Sequence, residues 1–256
     1  MKIIILAAGK GTRLGKLNKN KPKCLLKIGG SSLIERNIYL FNKANLEPII
    51  VTGFKKEKLN FLNVTTVFNH DYNTTNMLWS LYSAREHMYE DFLVCYSDIL
   101  INTKQIIKLK KFKNGIGLLI DRDWLDYWKL RFSDPLKDAE SLKLSQNGYI
   151  TDIGQKEKSL SNIQGQYVGF FKISGKKRLN FIKKLKDYCE NRSTRDNAKK
   201  AYLTDFFQLL IKSKFKIKAI FTNGGWVEID TPFDIKAAQK SGRLKVIKNS
   251  LNQAIN

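Results

Sequence analysis

Five residues near the start of the chain could hold a run of phosphates. Ile3–Leu6 is apolar, the chain then turns through Gly9 and Gly11, and Lys10, Arg13 and Lys23 supply cations. A buried strand that ends in a glycine turn points backbone N–H groups at an anion, and glycine lets the main chain come close. Pro22 stiffens the chain immediately before Lys23, which suits a cation held in one place. The spacing departs from a dinucleotide fingerprint. After Gly-x-Gly come Thr12, Arg13 and Leu14, with no third glycine opening a helix and no acidic residue ending the next strand. A Walker A loop is excluded because its Gly-Lys-Ser/Thr ending is absent. From these residues alone, a tight turn with a purely structural role stays open.

Two acidic stretches could do further chemistry. Asp98 ends the apolar run FLVCYSD, and ligands in open α/β sheets bind beyond the carboxyl ends of strands. An aspartate there could equally cap the next helix. In Gly224-Gly225-Trp226-Val227-Glu228-Ile229-Asp230-Thr231-Pro232, alternation puts Trp226, Glu228 and Asp230 on one face of a short strand. Thr231 as N-cap and Pro232 at the first helical position already start the next helix, so capping does not account for Asp230.

The elements that must position these residues alternate between strand and helix through Ile120. Ile3–Leu6, Pro48–Thr52, Thr65–Phe68, Phe92–Tyr96 and Gly115–Ile120 read as strands. A helix capped by Ser32 and Glu35 runs to Ala44, a short amphipathic helix lies near Lys55–Leu62, and the polar loop Asn69–Asn76 feeds a helix through Met77, Leu81 and Ala84. A lysine-rich helix precedes Gly115. Parallel strands need helical crossovers, so the pattern predicts a doubly wound α/β sheet. The second half changes character. Leu142–Leu144, Tyr149–Ile153 and Tyr167–Ile173 read as strands without helices between them, with a hairpin turn at Asn147-Gly148. A helix over Gly175–Cys189, a polar loop over Glu190–Asn197, a helix over Leu203–Ile211 and a strand over Lys216–Phe221 complete the pattern. This predicts one domain, residues 1–242, with a small antiparallel insertion, followed by a basic tail over 243–256.

Composition narrows the classes. An apolar fraction of 43% with 11% aromatics is that of a globular protein with ample core. The net charge of +23 admits nucleic acid, an anionic surface or anionic small substrates. The lysines are spread along the whole chain, and no basic stripe interleaved with aromatics marks a nucleic-acid surface. Cys24, Cys95 and Cys189 lie far apart and form no metal or disulfide pattern, which fits a reducing, cytoplasmic setting. No apolar run approaches the roughly 20 residues of a membrane span, and the first is too short for a signal peptide.

LAAGKGTRL, followed by KPKCLLKIGG and LIER, resembles the signature of the nucleotidyltransferase family that makes nucleoside-diphosphate-activated sugars and alcohols. The resemblance covers most of residues 1–240 and implies a Rossmann-like, GT-A-like three-layer sandwich around a mixed, mostly parallel sheet. It places the backbone of Leu6, Ala7, Ala8, Gly9 and Gly11 around the nucleotide, with Arg13 and Lys23 as catalytic cations on the phosphates. Asp98 matches the family's strand-end aspartate, and Asp230 matches the last acid of its W-x-[DE]-x-[DN]-T-P motif. The family holds Mg²⁺ between these two, and hard carboxylate oxygens suit that ion.

TTNMLWSLYSARE resembles the cytidylyltransferases that activate phosphocholine, 2-aminoethylphosphonate and related small phosphates. In that subgroup Thr75, Asn76 and Ser80 would lie by the pyrimidine of CTP. DRDWLDYWKLRFSDPLKDAESLKL and GQYVGFFKI point the same way, with inositol-1-phosphate and other sugar-phosphate enzymes as the alternative. Tyr167 and Trp226, with Asp121, Asp205 and Glu228, would form an aromatic and acidic substrate pocket for an amine, to which Trp124 and Trp128 could also belong. The implied reaction is in-line attack of a phosphate or phosphonate oxygen on the α-phosphorus of CTP, with pyrophosphate leaving. That nucleophile is largely ionised at neutral pH, its second pKa being about 6. No general base is then required, in keeping with a chain whose two histidines, His70 and His87, sit in no triad context. The expected partners are CTP and a small phosphate or phosphonate, without nucleic acid or membrane span, and assembly as a homodimer stays open.

Overall fold

The computed structural model describes residues 1–251, so residues 252–256 of the expected basic tail lie outside it. Strand β1 (Lys2–Ala7) is buried along its whole length, as an apolar strand covered on both faces must be. The short strands β2 (Lys27–Ile28) and β3 (Ser31–Ser32) pair and lead into helix α1 (Leu33–Lys43). This helix begins where the spacing predicts, with Ser32 and Glu35 closing a capping box. Then come β4 (Glu47–Thr52), β5 (Thr65–Phe68), α2 (Met77–Ser83), β6 (Phe92–Tyr96), β7 (Ile99–Leu100) and α3 (Thr103–Lys111). The span Lys56–Leu62 is a 3-10 helix in place of the short amphipathic helix expected there.

The second half holds β8 (Gly115–Asp121), α4 (Trp124–Arg131), β9 (Glu140–Leu144), β10 (Tyr149–Lys156) and β11 (Gln166–Ser174). Helices α5 (Lys177–Glu190), α6 (Arg195–Lys200) and α7 (Leu203–Lys212) follow, then β12 (Ile217–Thr222), β13 (Val227–Glu228), α8 (Pro232–Lys240) and α9 (Arg243–Leu251). Helix α6 begins inside the stretch read from sequence as a polar loop. Helix α9 covers the described part of the stretch read as a tail, and Ile247 packs into the core. Among the described residues no helix is long and apolar enough to cross a membrane.

Nine strands form one sheet in the order β5-β4-β1-β6-β11-β8-β12-β10-β9. The sheet is mixed and mostly parallel. Strand β11 runs antiparallel to both neighbours, β6 and β8, and β10 runs antiparallel to β12 and β9. The sequence pattern places β11 in an antiparallel insertion, but the strand lies in the middle of the sheet, between β6 and β8. The β9–β10 hairpin makes an antiparallel edge to this sheet, and the pairs β13–β7 and β2–β3 form two small antiparallel sheets of their own.

Alternation along β1 shows why the fold has three layers. Ile3, Ile5 and Ala7 face one apolar cluster with α1, α3, α4 and α8, while Ile4 and Leu6 face the other with α2, α5 and α7. Each isoleucine of β1 is fully buried, worth about 1.5–3 kcal/mol apiece relative to exposure. This rigid centre fixes the carboxyl ends of β1 and β6, where the turn after Ala7 and the residue Asp98 emerge.

Candidate active site

Beyond β1 the chain turns through Gly11, whose φ of +64° lies in the left-handed region that favours glycine. There is also no room for a side chain. A Cβ at Gly11 would lie 2.6 Å from Cβ of Lys23 and 2.9 Å from Nδ2 of Asn18. Asn18 is buried and donates to the carbonyl oxygen of Lys10 at 2.8 Å, which ties down the loop. Pro22, at φ −57°, delivers the chain into a single 3-10 turn, Lys23–Leu25, anchored by buried Cys24. The glycine turn and the lysine therefore fit each other directly.

Asp98 and Asp230 meet through a small second sheet. Strand β13 pairs antiparallel with β7, Glu228 opposite Ile99, and the N–H of Ile229 donates to the carbonyl oxygen of Asp98 at 3.0 Å. Asn37 of α1 holds β7 from behind by donating to the carbonyl oxygen of Ile99 at 2.8 Å. The capping alternative for Asp98 is excluded, because Asn102 and Gln105 form the capping box of α3.

Lys23 Nζ donates to Asp98 Oδ2 at 2.6 Å and to Asp230 Oδ1. Arg13 Nη2 lies 3.1 Å from the same Asp230 oxygen, on a side chain that is 65% exposed and so free to reach a ligand. Burial pulls the Lys23 pKa down, but the charges of Asp98 and Asp230 outweigh it and hold the ammonium above its ordinary value. Burial pushes the Asp230 carboxyl up, and Lys23, Arg13 and Arg131 more than reverse that, so it stays ionised. Burial pushes the carboxyl of Glu228, behind Asp230, upward, and the charge of Arg131 opposes that shift.

One oxygen each from Asp98, Glu228 and Asp230 can lie within 4.8 Å of one another. Oδ1 of Asp98 is buried without a hydrogen-bond partner. A hard divalent cation fits this donor set: three carboxylate oxygens converge, and one lacks any partner of its own.

A cleft of about 290 Å³ gathers these groups. Its lining includes Leu6, Ala7, Ala8, Gly9, Gly11, Arg13, Lys23, Thr75, Asn76, Ser80, Asp98 and Asp230, which brings together every residue read from sequence as nucleotide-binding or catalytic, with both aspartates. Asn69, which the sequence did not single out, organises the far wall: its buried amide donates to Thr75 Oγ1 and Ser80 Oγ, each at 3.1 Å. Asn76 caps α2 and fastens it to the end of α6 through Lys199 and Lys200.

A second cavity of about 570 Å³ adjoins the first and shares Arg13, Met77, Tyr96 and Asp230 with it. Tyr167, Asp205 and Glu228 line it, as does Trp128. Asp138 and Glu140 also line it, and burial pushes both carboxyls up.

Asp121 and Trp226 are absent from both linings, and their expected place in a substrate pocket is corrected. Asp121 is fully buried, accepting from Trp226 Nε1 at 2.7 Å and pairing with Arg243 at 2.9 Å. Trp226 is 1% exposed, with its ring against Tyr127 and Trp128. Through Arg243 the two tie β8 and the segment before β13 to α9. Trp124 likewise lies in the core and lines neither cavity.

Sequence reasoning also missed Arg131. Its Nη1 lies 2.8 Å from Glu228 and its Nε 2.8 Å from Asp234. The one available signal was a lone arginine ending an aromatic helix, WLDYWKLR.

Residues 3–110 match the family model of the MobA-like NTP transferase domain. Over 254 residues the chain is 33% identical to the CTP:phosphoglutamine cytidylyltransferase of Campylobacter jejuni, covering 92% of this chain and 98% of that protein. It is 31% identical over 155 residues to the choline-phosphate cytidylyltransferase of Streptococcus pneumoniae, covering 59% of this chain and 67% of that protein. Among solved structures, a CTP:phosphocholine cytidylyltransferase from Streptococcus pneumoniae has the same fold, with a TM-score of 0.69 at 22% identity over 94% of this chain and 98% of that one.

Proposed function

The chain belongs to the nucleotidyltransferase family, and from that premise we propose that it transfers CMP from CTP to a small phosphorylated acceptor, releasing pyrophosphate. The observation that carries this is the pair of adjoining cavities meeting at Arg13 and Asp230. One side offers a glycine turn and cations to a triphosphate, and the other offers room and charge to a second substrate.

In this reading an oxygen of the acceptor's phosphate attacks the α-phosphorus of CTP. The bond from that phosphorus to the oxygen bridging it to the β-phosphorus breaks, and pyrophosphate carries away the electron pair. The attacking oxygen is already ionised at neutral pH, so no side chain needs to remove a proton. The obstacle is repulsion between two anions, and the chain answers it with position and charge. Lys23 is held on the cleft floor as an ammonium by Asp98 and Asp230. Arg13, exposed at the mouth, can close on the phosphates from either cavity. The turn from Leu6 to Gly11 holds the nucleoside side, and Thr75 and Ser80, oriented by Asn69, present hydroxyls to the base.

Asp98 and Asp230, with Glu228 beside them, are the residues that would hold Mg²⁺, in exchange for the Lys23 ammonium that bridges the two aspartates here. When bound there, the ion would neutralise charge on the transferring phosphate.

The second cavity favours an acceptor that carries a cation besides its phosphate. Five acids line it, Asp138, Glu140, Asp205, Glu228 and Asp230, against the three cations Arg13, Lys137 and Lys156, and among the described residues no ion pair joins Asp138, Glu140 or Asp205 to a cation. An ammonium group would supply the missing charge, which makes phosphoglutamine, phosphocholine and 2-aminoethylphosphonate the first acceptors to try. The test is pyrophosphate release with Mg²⁺, each of CTP, UTP, dTTP and GTP, and those acceptors alongside glucose-1-phosphate and inositol-1-phosphate. Turnover with CTP and an amine-bearing phosphate is expected. Turnover confined to UTP or dTTP with a sugar phosphate would overturn the reading.

A further inference from the structure

Arg131 is the last residue of α4, and its side chain is fully buried. It faces three carboxylates from two different segments. Nη1 lies 2.8 Å from Glu228 Oε2, Nε donates to Asp234 Oδ1 at 2.8 Å, and Nη2 lies 3.9 Å from Asp230 Oδ2. The rings of Tyr127, Trp128 and Phe132, 5.0 to 5.6 Å away by centroid, fix where the guanidinium sits.

Asp234 completes the linkage. Its second oxygen, Oδ2, accepts from the backbone N–H of Asp230 at 2.9 Å and of Thr231 at 2.7 Å. Arg131 therefore grips the Glu228 side chain directly, and it grips the Asp230 backbone through Asp234. These two acids stand where the cavities meet: Glu228 lines the second cavity, and Asp230 lines both.

We propose that Arg131 is the positioning residue that sets Glu228 and Asp230 as a pair, and so sets the affinity of the acidic cluster for a divalent cation. The inference rests on the metal-assisted reading of the site. A guanidinium suits the task because its planar fork offers donors in fixed directions to several carboxylates at once. A lysine in its place keeps the charge but presents a single donor atom. Arg131 touches neither a substrate nor the reacting atoms in this scheme. It acts through the carboxylates it holds.

The test is Mn²⁺ titration of the full chain with CTP present and acceptor omitted, reading protein-bound Mn²⁺ by water-proton relaxation. This reports metal affinity without turnover. Losing a partner that orients metal ligands typically weakens binding by about 10- to 100-fold, and Arg131→Met is expected to do so. Arg131→Lys should fall between it and the unaltered chain, and a purely electrostatic role would leave that variant normal. Arg131→Met leaves Asp234 buried without its cation and could fail to fold. The double variant Arg131→Met/Asp234→Asn removes that charge and should fold, yet still bind Mn²⁺ weakly. If either Met variant folds and binds Mn²⁺ as the unaltered chain does, the positioning role is overturned while the metal site stands. If the unaltered chain itself binds no Mn²⁺ beyond that held by CTP, the metal reading falls and this inference with it.

Discussion

Replacing Gly11 by alanine tests whether the glycine turn and Lys23 are fitted to each other. A Cβ at position 11 would stand 2.6 Å from Cβ of Lys23, whereas ordinary contacts begin at 3.4 Å and extend to 4 Å. The lysine must therefore retreat by about 1 Å, and Asn18, 2.9 Å away, must also give. The left-handed backbone adds a penalty of about 1–2 kcal/mol for any residue with a Cβ. Misplacing a charge-bearing group by 1 Å costs on the order of 100-fold in rate. Gly11→Ala should thus lower kcat by about that factor, with a loss of about 1–2 kcal/mol in a urea denaturation curve. Gly9→Ala is the control. A Cβ there meets nothing within 4 Å, so the fold should keep its full stability. The pair is read by steady-state kinetics and urea titration side by side. Unchanged kcat in Gly11→Ala, with the variant folded, would refute the claim that this turn fixes Lys23.

Three further outcomes follow from the same geometry. Asp98→Asn and Asp230→Asn should each reduce turnover by at least about 100-fold while circular dichroism stays native, and near-normal rates in either would remove it from the site. Arg243→Met should cost about 3–5 kcal/mol in urea, because it strands the buried Asp121 carboxylate, and soluble variant should keep its KM values; a KM effect at full stability would instead return Asp121 to the substrate site. Ser32→Ala removes the box that starts α1 and should cost about 1 kcal/mol at neutral pH. The Glu35 carboxyl is held below its ordinary value first by the Ser32 hydroxyl and then by the Ser32 N–H. A depressed carboxyl contributes stability above the unfolded pKa and loses it as pH falls through the folded one, so the gap between the two proteins should narrow in acid. A gap that widens on acidification would contradict this.

The site was legible where chemistry lies in a local segment. Gly9 to Lys23 reads as one turn because the contact between Gly11 and Lys23 is short in sequence. Asp98 and Asp230 stand out because each ends an apolar or alternating run. Thr75, Asn76 and Ser80 were accessible through resemblance, and the structure puts them on the cleft wall. What escaped depends on long-range contacts. Asp121 ends a strand much as Asp98 does, and only its pairing with Arg243 on the last helix shows that it faces inward. Trp226 shares a strand face with Glu228 in the alternating pattern, yet its indole turns to Asp121. Arg131 gives no local sign of three carboxylates brought to it by two other segments. Strand order was hidden for the same reason: nothing within Gln166–Ser174 states that it will insert between β6 and β8. The polar helix α6 has only Ala198 to bury, too weak an apolar pattern to be read from sequence.

The central claim is attack at the α-phosphorus, and the fate of a label tests it most directly. With CTP carrying ³²P at the α-position, an acceptor that turns over, and Mg²⁺, the label should appear joined to the acceptor, with unlabelled pyrophosphate released in equal amount. Label left in CDP while the acceptor gains the γ-phosphate, or label released as free CMP with the acceptor unchanged, would contradict the account.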